Sequence, residues 1–297
     1  MRRTLKAGRQ GAGRMLTLGL PTVIQHTLRL PTMQLLAATL LLAMLPTLSM
    51  EVRAQEEPRL RTNAYMIGVG VSDILDTYLS QEHFSGTGIT YLATSERSRR
   101  GKDWSTLIQH QAHLALADDR AKQFSDLEMS YQLLWGRLHQ WQLLDDRLRL
   151  QAGGVASALV GFIYNTHQGN NPAQARLALQ LMPAATAAYS FRLFRLPATL
   201  RYELELPLAG ILFSPNYGQS YYEIFSRGDY DHNIVPVTFV TAPDFRQLLT
   251  LDLGIGKKTS LRLGYLGDCR QAKVNSLRQH VYSHRFMLGI VKNIRIL

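Results

Sequence analysis

One cysteine, Cys269, stands in the 297 residues. That excludes an internal disulfide and any thiolate metal cluster. Beyond residue 55 there is no apolar run near the ~20 residues that a membrane-spanning helix requires. Catalytic fingerprints are missing as well: the mature chain has no GxSxG elbow, HExxH pair, phosphate loop or dinucleotide motif. Carboxylates are outnumbered, 22 against 33 lysines and arginines, which gives a formal charge of +11. Residues 1–54 hold seven basic side chains and one acid, so the remaining 243 residues carry only +5. Those basic residues are scattered rather than striped, and a nucleic-acid partner is not expected. No cofactor is expected either.

The front of the chain reads as a leader. "QLLAATLLLAMLPTL", Gln34 to Leu48, is apolar, is broken by Pro46, and follows a long basic stretch. Val52 and Ala54 occupy the −3 and −1 positions of a cleavage before Gln55, the small-residue pattern of a signal peptide. The expected organisation is therefore a signal peptide over 1–54 and one exported domain over 55–297. An uncleaved anchor stays open, as does a start at Met15 or Met33.

What the mature chain has instead is alternation. "TLRYELELPLA", Thr199 to Ala209, places Leu200, Tyr202 and Leu204 on one face of a strand and Arg201, Glu203 and Glu205 on the other. Similar segments recur at 64–72, 85–98, 104–117, 125–135, 147–164, 175–191, 247–256, 259–268 and 280–291. Tyr221–Phe225 and Pro236–Thr241 are weaker candidates. Several run to twelve residues or more, longer than the ~5–6 of soluble sheets and long enough for the ~9–11 that a tilted membrane strand needs. The expected fold is all-β: a closed antiparallel outer-membrane barrel of about 12 strands, lipid being the partner of its outer face. One segment argues back, because Leu127, Tyr131, Leu134, Leu138 and Trp141 also fit a helical stripe. A helical hairpin over 105–146 would make the protein α+β and soluble.

Three pieces carry a resemblance. They are "DTYLS" (Asp76–Ser80) followed by Phe84 and "SGTG" (Ser85–Gly88), "GQSYYEIF" (Gly218–Phe225), and "LRLGYLGDCRQAKVNSLRQHVYSHRFMLGI" near the end. With them the chain resembles a family of uncharacterised outer-membrane barrel-like proteins of gut and oral Gram-negative anaerobes, a domain of unknown function. The resemblance implies an outer-membrane location and a closed sheet. It implies no activity and no functional residues.

Two groups of residues stand out. Asp126, Glu128, Arg201, Glu203 and Glu205 are expected to face the lumen. There they would plug a narrow barrel as paired charges or set ion selectivity in a wide one, the plug being favoured. Tyr221, Tyr222, Glu223, Asp229, Tyr230 and Asp231 lie in a polar-aromatic stretch expected to be an extracellular loop, suited to a glycan or other small-molecule ligand. "DYDHN" lacks the spacing of a calcium loop, so no metal site is expected. Ser283 and His284 are adjacent on an alternating strand and point apart, so no catalytic pair is assigned. Ser283 with His280 keeps a membrane-embedded lipid hydrolase as an alternative, and a soluble periplasmic β-rich binding protein is the other.

Overall fold

The computed structural model describes residues 59–99, 102–166, 169 and 171–296. The expected leader and cleavage point lie outside them. The alternating segments become long strands: β1 (Arg59–Asp76), β2 (Phe84–Arg99), β3 (Trp104–Asp118), β4 (Ser125–Leu143), β5 (Leu148–Asn165) and β6 (Ala173–Leu193). They are followed by β7 (Leu196–Glu205), β8 (Ala209–Phe213), a short helix α1 (Tyr221–Phe225) and β9 (Ile234–Thr238). The chain closes with β10 (Phe245–Gly254), β11 (Thr259–Val274) and β12 (Leu277–Ile296).

Ten strands form a closed antiparallel ring in which β1 pairs β12, β5 pairs β6, and β7 pairs β10. The fold is an outer-membrane-type β-barrel. Twelve strands are present among the described residues, but β8 and β9 stand outside the ring, because β8 takes over the edge of β6 at Ala178–Leu181 once β7 has ended. Tyr221–Phe225, read above as a weak strand, is instead helical. Ser220 accepts from the Glu223 backbone N–H and Glu223 reaches back to Ser220, a capping box that starts a helix despite the strand-prone aromatic residues.

The helical alternative for 105–146 is also corrected. Leu134 and Leu138 point inward from β4 while Tyr131 and Trp141 are exposed, so the apparent stripe divides between two faces of one strand.

Alternation sorts the side chains. Val69 on β1, Ile89 on β2, Leu116 on β3, Phe162 on β5, Leu200 on β7 and Phe286 on β12 are all exposed on the outer surface. Trp104, Trp141 and Tyr189 lie toward the end where Arg59 pairs Ile296, and Tyr164 toward the other. An apolar band with aromatic borders matches the hydrocarbon layer and its interfaces.

The two ends differ. At the end holding Arg59 and Ile296 the links between strands are two to four residues long. At the opposite end, 77–83, 119–124 and 166–172 are longer, and 206–244 carries β8, α1 and β9. The β6–β7 and β11–β12 links are two-residue turns with both residues at positive φ, Phe194 (47) with Arg195 (72) and Asn275 (50) with Ser276 (60). That is the conformation whose twist suits a tight hairpin.

Candidate functional site

The inward faces meet in a lumen filled by side chains. Apolar clusters include Ile74, Phe84 and Ile163 near the long-loop end, and Leu107, Leu138 and Met182 on the other side. Polar side chains occupy the space between. Arg201 on β7 donates from Nε to Glu203 Oε1 at 2.6 Å and from Nη1 to Glu96 Oε2 on β2 at 3.1 Å. Gln109 on β3 donates to Glu203 Oε2 at 2.9 Å, and Gln111 to Asp268 Oδ2 on β11 at 2.6 Å. Arg246 on β10 is paired with Glu205 and donates from Nε to Gln111 Oε1 at 3.2 Å. Arg270 on β11 donates to Asp268 and, at 3.2 Å, to Ser130 on β4.

None of β2–β7, β3–β7, β3–β10, β3–β11 and β4–β11 is a neighbouring pair in the ring. These bonds therefore span the interior rather than run along the wall.

Each residue expected in the lumen is buried: Asp126, Glu128, Arg201, Glu203 and Glu205. Asp126 accepts from Asn165 at 2.6 Å, and Glu128 stands 3.2 Å from His113 Nε2. Arg285, which the sequence reading passed over, donates from Nη2 to Ser72 Oγ at 2.6 Å and bonds the carbonyl of Val71. Gly88 leaves it room, since a Cβ there would stand 2.4 Å from Arg285 Nη2. Also missed were Glu96, Gln109, Gln111, Arg246, Asp268 and Arg270. Their signal was the same parity: Asp268 and Arg270 share a face with buried Leu266.

The 206–244 insertion is tied down to the turn of the β11–β12 hairpin. Asn275, in the β11–β12 turn, donates to the carbonyls of Ser214 at 3.0 Å and His232 at 2.9 Å. Gln219 donates to the carbonyl of Asp229 at 2.9 Å and accepts from Asn233 at 2.6 Å.

The loop residues named from sequence divide. Tyr221 is turned inward, its hydroxyl donating to Gln174 Oε1 at 2.8 Å and accepting from the Ala175 N–H at 2.6 Å. Glu223 serves α1: the Ser220 backbone N–H at 2.7 Å and the Ser220 hydroxyl hold its carboxyl below the usual range. Tyr222, Asp229, Tyr230 and Asp231 are exposed. A cleft of about 430 Å³ between the 77–83 loop and the insertion is lined by Tyr78, Gln81, Tyr217 and Gln219.

The hydrolase geometry is not assembled. Ser283 faces the lumen and donates to the carbonyl of Asp268 at 3.2 Å. His284 faces outward and pairs with the Tyr265 hydroxyl at 2.6 Å. His280, three residues from Ser283, is on the same outer face and lies 2.6 Å from Asp73.

The family profile that matches this sequence spans residues 34–297, nearly all of the chain. The chain belongs to the family described as "Protein of unknown function (DUF3316)". No curated protein matches it. Among solved structures it is similar to the translocator domain of the autotransporter NalP from Neisseria meningitidis, at 11% identity and TM-score 0.34, covering 82% of this chain and 90% of that one. It is also similar to an outer membrane channel from Pseudomonas putida F1, at 9% identity and TM-score 0.35, covering 82% and 98%. A third is the outer membrane protease OmpT from Escherichia coli, at 6% identity and TM-score 0.37, covering 83% and 99%. The barrel is closed by the pairing of β1 with β12 and of β5 with β6.

Proposed function

We propose that this family member is a sealed β-barrel of the Gram-negative outer membrane with a passive role, anchoring in lipid and presenting the 206–244 insertion. The observation that carries the reading is the set of cross-lumen bonds, above all Arg201 to Glu96 and Arg270 to Ser130. A barrel whose opposite walls are joined through buried side chains has no continuous water path. The outer face supports a lipid partner, since a soluble sheet would bury its leucines and expose its charges, the reverse of the arrangement here.

Outer-membrane barrels place short turns on the periplasmic side and longer loops outside. That rule puts Arg59 and Ile296 toward the periplasm and 206–244 at the cell surface. There, exposed Tyr222, Asp229, Tyr230 and Asp231 offer stacking faces and carboxylates to a glycan or other small ligand.

Export depends on the leader being removed between Ala54 and Gln55. Amino-terminal sequencing of protein from its native envelope should begin at Gln55. A chain that still carried Leu35 to Leu48 would contradict cleavage. Envelope fractionation tests the location: the protein should partition with the outer membrane and need detergent for release. Extraction by salt or alkali alone would overturn the reading.

A further inference from the structure

Asp73 of β1, His83 just before β2 and His280 of β12 converge at the long-loop end of the barrel, outside the lumen. His280 Nε2 lies 2.6 Å from Asp73 Oδ1, and His83 Nδ1 lies 3.3 Å from the same oxygen. One donor atom from each of the three falls within 4.8 Å of the others. The second carboxylate oxygen is occupied, accepting from Ser85 Oγ at 3.1 Å. The His280 ring is stacked on Tyr282 with centroids 4.2 Å apart, and His83 stands 5.2 Å from His280.

Each carboxylate oxygen can accept from two donors or bind a cation. Here two imidazoles from separate elements are aimed at a single oxygen while the other oxygen is oriented by a hydroxyl. An outer hydrogen bond that fixes a ligating carboxylate is a regular feature of metal centres. Two imidazoles and one carboxylate form the donor set of borderline divalent transition metals, zinc foremost, with a further position left for water. Ligand atoms around a tetrahedral zinc stand ~3.3 Å apart, from bond lengths of ~2.0–2.2 Å. Asp73 and His83 already have that spacing, at 3.3 Å, while His280 has to withdraw from 2.6 Å by ~0.7 Å and the three ligand atoms, within 4.8 Å of one another, have to settle around the ion.

We propose that Asp73, His83 and His280 form a binding site for a zinc-class divalent metal on the outer rim of the barrel. The site lies at the closure of the ring, where Leu75 pairs His280 and Asp73 pairs both Tyr282 and Ser85. A bound ion joins the first strand, the last strand and the 77–83 loop. The site neither uses the lumen nor requires the membrane reading.

Tag-free protein in detergent, stripped with chelator and then titrated with zinc chloride in a calorimeter, tests this. Wild type should bind one zinc per chain at micromolar or lower concentration and gain thermal stability. His83→Ala should weaken binding at least tenfold and lose the stabilisation. Because His83 is exposed and precedes β2, this variant should keep the fold, which circular dichroism checks. Asp73→Asn should behave in the same way. His232→Ala, which removes the exposed His232–Asp231 pair, should change nothing. Absence of stoichiometric zinc binding in wild type would overturn the proposal, as would binding in folded His83→Ala at the wild-type affinity.

Discussion

Arg201 on β7 reaches across the barrel to Glu96 on β2, Nη1 to Oε2 at 3.1 Å, while its Nε holds Glu203 on its own strand. One guanidinium thus serves two buried carboxylates, and a second arginine, Arg149, stands 3.3 Å from Glu96. Removing one partner of a buried ion pair leaves a charge uncompensated and costs ~3–5 kcal/mol. Arg201→Met should therefore destabilise the barrel by about that amount in urea unfolding from liposomes. A loss below ~1 kcal/mol would mean that water already reaches these groups.

The same logic changes what is expected of Glu203. From the sequence alone, Glu203→Gln costs little unless the carboxylate is paired. It accepts from both Arg201 and Gln109, so the amide should cost more than a surface exchange, ~1–3 kcal/mol for a charged buried hydrogen bond. A paired comparison of Glu203→Gln with an exposed control such as Asp229→Asn checks this, equal stabilities being the contrary result.

Leu204 lies on the outward set of β7 with Leu200 and Tyr202, paired with Ala185 well inside β6. Arginine on the lipid face near the midplane costs ~2–4 kcal/mol, falling toward ~0–1 at the interfaces. Leu204→Arg should lose about 2–4 kcal/mol in bilayers. A harmless substitution there would place Leu204 at an interface or away from lipid.

Asn275 occupies a positive-φ turn position and holds three carbonyls of the insertion, those of Ser214, Pro215 and His232. Asn275→Ala removes these bonds and disfavours the turn. The 206–244 insertion should then be cut faster by protease added to intact cells, while the strands remain protected. Unchanged cleavage would show that Gln219 and Asn233 suffice to hold it.

Much of this was legible because a strand's period is two and needs no partner to be seen. Arg201, Glu203 and Glu205 are on one side of β7 by arithmetic alone. β4 was ambiguous only because leucines on both faces mimic a helical spacing, which burial separates. The capping box of α1 was present in the sequence as Ser220 and Glu223, but the strand-prone Tyr221, Tyr222, Ile224 and Phe225 masked it. Pairings such as Glu96 with Arg201 or Gln111 with Asp268 could not be read, because barrel closure, not sequence spacing, brings them together. The convergence of Asp73 and His83 with His280 has the same cause: it appears only when the last strand meets the first.

Single-channel conductance of the refolded mature chain in a planar bilayer tests the central claim most directly. Side chains bonded across the lumen leave no path for ions, so the wild-type barrel should be silent. Arg201→Ala, by opening the Glu96–Arg201–Glu203 contact, should give at most brief, unstable openings. Steady cation or anion current through the wild-type protein, altered by Glu203→Lys, would contradict a sealed barrel.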